Sequence, residues 1–365
     1  MALDENFYRY FPEEANYSIV TSGRRHAFSA GNYWVYNLLF IHLHSNRNGG
    51  AMCFERDGCI KILIEDTAFT DCRSLNNSMG GAMYFETNPA FGFYMNRVCG
   101  VDCYSDNSGY YQFFYIRDIN GKTTSINVSQ VSISSIVPPT PARTVFAVST
   151  FCCNIDYMNS SMNNIAQLSA GLFFIMKNCS LRFNIYADCY SSENFVFQIY
   201  EVKLCEMAHT MFSNLTHGFK DYDLAPIHFF NTVLTMASCC IIQAPQNKGE
   251  NVFSLYNAYL TAIDSYISSL QYKNNDGGVN FGFNLTALDF KISIYNNVQC
   301  SLVPKPTPSS PPQKRWQDSF ILYIGLPVLI VALIATMLFA LRRNQKARQL
   351  EESFILTLRI NADFG

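Results

Sequence analysis

Apolar residues recur along the chain in short clusters, each followed by polar, turn-forming material. The clusters centre on Phe54, Phe85, Phe114, Phe146, Phe173, Phe197, Phe229, Phe253 and Phe281, at intervals of 31, 29, 32, 27, 24, 32, 24 and 28 residues. Stretches such as Ser74-Leu75-Asn76-Asn77-Ser78, Ser105-Asp106-Asn107-Ser108 and Lys273-Asn274-Asn275-Asp276 separate several of them. No long stretch of period 3.6 appears before residue 320. Abundant Phe, Tyr, Ile, Val and Asn favour strands and turns over helices. Residues 1 to about 300 are therefore expected to be all-β.

The rhythm is also a repeat. Gly49-Gly50-Ala51-Met52-Cys53-Phe54-Glu55 returns 31 residues later as Gly80-Gly81-Ala82-Met83-Tyr84-Phe85-Glu86. Phe69-Thr70-Asp71-Cys72 has its counterpart in Val101-Asp102-Cys103-Tyr104-Ser105, and Asp188-Cys189-Tyr190-Ser191 repeats that piece. A third Gly-Gly stands at Gly277-Gly278. Periods of 20 to 50 residues mean a solenoid, a propeller or an array. Leucine-rich repeats demand Leu and a fixed Asn, and propeller blades are longer. A parallel β-helix fits a variable coil, with Gly-Gly at a corner that a side chain would block and Phe and Tyr in the interior. The expected organisation is an N-terminal cap or irregular start over 1–32 and a β-helix of about nine coils over 33–300.

Gly-Gly-Ala-Met-x-Phe with an upstream Phe-x-x-Cys resembles the repeat of polymorphic outer membrane proteins. The whole chain is similar to the right-handed β-helix surface proteins of trichomonad-type parasitic protists, which end in one span and a short tail. The likeness is sharp over residues 48–116 and rests on rhythm elsewhere. It implies a cell-surface right-handed β-helix with a role in adhesion or antigen display, and it supplies no ligand and no catalytic residue.

Phe320 to Leu341 is a run of 22 residues without a charge. As a helix it covers about 33 Å against a hydrocarbon core of about 30 Å. It predicts one C-terminal transmembrane helix. The Pro-rich segment 301–319 reads as a stiff stalk, and 342–365 as a cytoplasmic tail. Four basic residues follow the span (Arg342, Arg343, Lys346, Arg348) and three precede it (Lys305, Lys314, Arg315), which orients it only weakly. Seven Asn-x-Ser/Thr acceptors give a clearer direction: Asn16, Asn76, Asn127, Asn159, Asn178, Asn214 and Asn284. All thirteen cysteines also lie before the span, which fits an oxidising compartment. The expectation is a plasma-membrane protein with its large N-terminal part extracellular. The start MALDENFYRYFPEEANYSIV holds no secretory leader, so an upstream leader is expected to be missing from this sequence.

The remaining chemistry is sparse. A net charge of −2 points to no nucleic-acid partner. Cys72 and Cys103 occupy the same place in successive units. They are either a disulfide between coils or a pair of buried thiols. The adjacent pairs Cys152-Cys153 and Cys239-Cys240 point to opposite faces of a strand. His42 and His44 share a strand face, with no third metal ligand visible. Asp71, Asp102 and Asp188 suggest a catalytic row like that of carbohydrate-active β-helix enzymes, but each also suits a turn. Asn361 and Phe364 loosely match an endocytic sorting signal. The expected function is non-enzymatic, without cofactor: a surface protein presenting its coils to a host-cell or matrix protein or a glycan. A membrane-tethered lyase or hydrolase is the alternative.

Overall fold

The computed structural model describes residues 4–282 apart from 14–15, 57, 59, 88–90, 107–110, 119–124, 139–142, 219–224, 243–250, 268–271 and 276. The stalk, the 320–341 run, the tail, Asn284, Asn361 and Phe364 all lie outside the described residues. Among the described residues no helix is long and apolar enough to cross a membrane.

The chain forms a right-handed parallel β-solenoid. One interior column runs Phe54, Phe85, Ile116, Val148, Phe173, Ile199, Phe229 and Leu255, each in register with the next. Those seven steps are seven complete turns. Part-turns extend the solenoid at both ends, where the sequence rhythm suggested about nine coils in all. Strand Ser18–Val20 already pairs with Tyr33–Val35, so the first strand lies within the region expected to be a cap. Helix Asp4–Tyr10 is the true cap element. It lays Phe7, with Phe11 just beyond it, against Trp34 and Leu63 on the outside of the sheet.

Each turn bends at residues in the left-handed region. Long strands such as Ile60–Thr70 and Phe91–Val101 run through two faces of the solenoid and turn at Asp66 (φ 48°) and Arg97 (φ 53°). A second corner column holds His42, Asp71, Asp102, Ser135, Met162, Asp188 and Asn214, with φ between 50° and 58°. Asp and Asn reach this conformation at the least steric cost, which explains the repeated Asp beside Cys. The Gly-Gly pairs work as expected in the two sharp repeats. A Cβ on Gly49 (φ 68°) would overlap the Met52 carbonyl, and one on Gly81 would come 2.1 Å from the Gln112 carbonyl of the next turn. Gly278 differs: it lies in strand Gly278–Gly282, where the ring of Tyr259 covers it.

Side chains in register stack like on like. Phe40 and Phe69 stack at 5.0 Å with planes 4° apart, and Phe114 and Phe146 at 5.0 Å. Each buried Phe contributes about 1.5–3 kcal/mol, and each stacked pair about 0.5–1.5 kcal/mol more. The interior also holds a thiol column, Cys153, Cys179 and Cys205, on three successive turns. The Phe residues that mark the rhythm fall in two interior columns. Phe114, Phe146, Phe197 and Phe253 stand one inward position before Phe54, Phe85, Phe173 and Phe229. Phe281 belongs to another face, opposite Ala262.

Candidate functional site

Two exterior features stand out, on different turns. The first is a charged corner on the early turns. The left-handed corner stacks His42, Asp71 and Asp102, and the short strands that follow stack His44, Arg73 and Tyr104. Asp71 is the hub. Its Oδ2 lies 2.5 Å from His42 Nδ1, its Oδ1 accepts from Arg73 Nε at 2.5 Å, and His44 Nε2 is 4.0 Å away. The Arg73 guanidinium in turn covers the Tyr104 ring at 4.5 Å. Burial, and next the Asp71 charge, hold the Asp102 carboxyl above the usual carboxylate range, against the pull of Arg73 and His42.

This assembly corrects the sequence reading in one respect and limits it in another. A third group does converge on His42 and His44, namely Asp71. Even so, among the described residues no group of three His, Cys, Asp or Glu side chains is arranged to hold a metal ion. Asp188 does not join Asp71 and Asp102. Ser135 and Met162 stand between in the corner column, and Asp188 accepts instead from Asn214 Nδ2 at 2.9 Å. Arg73 escaped notice because no Arg repeats at that place; Tyr104 and Tyr190 occupy it later.

The second feature is an apolar pair of stripes on the late turns. Tyr200, Phe230 and Tyr256 point outward in register and stack at 4.7 and 5.0 Å with planes 9° and 5° apart. Around the next corner Leu204, Val233 and Tyr259 form a parallel row, also in register. Tyr256 and Tyr259 are 45% and 58% exposed, unusually wet for Tyr on a sheet. Between the stripes runs a polar corner, where Asn257 Nδ2 donates to Asn231 Oδ1 at 2.7 Å. The sequence rhythm hid these stripes, since it marks the inward Phe and not the outward rings beside them.

No protein-family model, curated protein or solved structure matches this chain.

The other candidate residues are placed as follows. Cys72 and Cys103 stack one turn apart, fully buried, as free thiols. The Cys72 N–H donates to Cys103 Sγ at 3.5 Å, while the Cys72 and Cys103 thiols donate to the carbonyls of Phe40 and Val101 at 3.5 and 3.4 Å. Cys153 points in and Cys152 out, as the alternation requires. Among the acceptors, Asn16, Asn76, Asn178 and Asn214 are exposed, and Asn127 and Asn159 half-buried. Asn127 Oδ1 accepts from Asn154 Nδ2 at 2.9 Å. The Asn159 carboxamide oxygen is buried without a partner.

Proposed function

We propose that this protein is a non-catalytic recognition protein, anchored by its C-terminal run and exposing its solenoid outside the cell to a glycan or a glycan-bearing protein. The paired stripes carry the reading. Exposed apolar rows on a soluble exterior mark contact surfaces. Aromatic edges alternating with side-chain amides suit a partner that is part apolar and part hydroxylated. The acceptor sites ahead of the 320–341 run, the stalk composition and the Cys99 disulfide support an extracellular setting. The test is binding of the full chain, reconstituted in nanodiscs, to glycan and matrix-protein panels. A Tyr200→Ser, Phe230→Ser, Tyr256→Ser variant should lose at least tenfold in affinity with its unfolding midpoint unchanged. Equal binding by both proteins, or none by either, would sink the reading.

A second reading, a membrane-tethered carbohydrate-active enzyme, is favoured by one observation: Asp71, pinned by Arg73, stands one turn from an Asp102 with a raised pKa. Two carboxyls in such unlike surroundings suit a base and an acid. Turnover on a polysaccharide panel that vanishes in both Asp71→Asn and Asp102→Asn would establish it.

A further inference from the structure

Ala68, Cys99 and Val101 form a small apolar cluster of their own, separate from the interior. They sit on the outside of the third face, yet they are only 1%, 6% and 6% exposed. Outward side chains are buried only when something lies over the sheet. Among the described residues this cluster has no other member.

Cys99 itself says what lies there. It is disulfide-bonded. Ten other described cysteines are free. The chain has thirteen, so 13 − 10 − 1 leaves two possible partners, Cys59 and Cys300. Cys59 is out of reach. Its neighbour Ile60 is in register with Phe91. From Phe91 to Asn96 the strand advances about 17 Å before it bends at Arg97, and Cys99 lies beyond the bend. A disulfide needs Cα atoms within about 7 Å.

We infer that Cys99 is bridged to Cys300, and that the segment 283–300 of this chain returns along the solenoid and covers Ala68 and Val101. The length allows it. The column above Cys99 runs through Ser132, Asn159, Ile185, Met211, Cys240 and Tyr266. Those six steps span roughly 29 Å at about 4.8 Å each. The eighteen residues from Gly282 to Cys300 reach up to about 59 Å when extended. The composition allows it too. Phe290-Lys291-Ile292-Ser293-Ile294 alternates apolar and polar, the pattern of a strand with one dry face. The bond forms when both thiols each lose a proton and an electron to the disulfide of a secretory-lumen oxidoreductase, which leaves as a dithiol. This inference is independent of any ligand for the stripes.

Non-reducing peptide mapping of the full chain made in a secretory system tests it. Trypsin with Asp-N isolates Cys99 in the peptide Val98–Val101, apart from Cys103, and Cys59 in Asp57–Lys61. The expected product is Val98–Val101 joined to the Ile292–Lys314 peptide, released on reduction. A mixture of ¹⁴N- and ¹⁵N-labelled chains should give no mixed-label link. A link to Asp57–Lys61, a mixed-label link between two copies, or a Cys99 that alkylates without reduction would each overturn the assignment. In a Cys300→Ser variant, Cys99 should alkylate under native conditions and cleavage at Lys291 should accelerate at least tenfold. Unchanged cleavage would show that the segment does not lie on this face.

Discussion

Gly171 stands one turn above Phe146, and the side chain it lacks is the space the Phe146 ring fills. A Cβ on Gly171 would come within 2.2 Å of Phe146 Cζ, at a backbone φ of 144°. Gly171→Ala should therefore destabilise by about 1–3 kcal/mol through overpacking and strain together. The double variant with Phe146→Val should recover part of that loss, since neighbours in one column do not act additively. Urea unfolding of the four proteins measures both. Simple additivity would mean that the ring and the glycine are not coupled.

His228 gives the protein a pH limit. Its ring stacks on Phe195 at 3.9 Å, and its Nδ1 lies 2.7 Å from Ser254 Oγ. Burial pushes its pKa from 6.5 down to about 4. The folded pKa lies below the unfolded one, so the neutral ring's contribution is full above pH 6.5. It is lost as pH falls toward 4, by up to about 3 kcal/mol. In His228→Phe the unfolding free energy should be flatter between pH 7 and pH 4.5. Parallel profiles for the two proteins would contradict this.

Glu65 is a buried acid held for structure. It is 2% exposed, and it accepts from Trp34 Nε1 at 3.1 Å and from Asn96 Nδ2 at 3.4 Å, with Arg97 at 3.8 Å. Glu65→Leu strips both donors and should cost about 1–3 kcal/mol. Glu65→Gln, which keeps an acceptor for Trp34, should cost less. Calorimetry gives the ranking, and the emission of Trp34 should shift only in the leucine variant.

If the solenoid is extracellular, glycans should follow exposure. Asn76 and Asn214 lie at exposed left-handed positions (φ 59° and 50°), and glycopeptide mapping should find both occupied. Asn159, with its carboxamide oxygen buried, should stay bare. Full occupancy at Asn159 would mean that this acceptor is modified before the turn around it closes.

The repeat was readable because its physics is local. Gly49-Gly50 and Gly80-Gly81 mark a corner no side chain fits, and inward Phe at a steady interval marks a coil. Both survive in one sequence. The charged corner was half readable. Asp71 and Asp102 repeat visibly, and His42 lies 29 residues from Asp71, but nothing along the chain ties Arg73 to Asp71 until the corner turns both outward. The stripes were not readable, because Tyr200, Phe230 and Tyr256 follow inward residues by one step. Facing is decided by which neighbour meets the core, and that depends on where each turn begins.

The register itself has a mechanical consequence. Hydrogen bonds between turns lie along the solenoid axis, so tension between the two ends would open them as a zip, one turn at a time. The turns differ in length: 31 residues from Phe54 to Phe85, 32 from Ile116 to Val148, 26 from Phe173 to Ile199 and 30 from Ile199 to Phe229. A chain stretched between two surfaces would lengthen in unequal increments, and their order would read out which turn had let go.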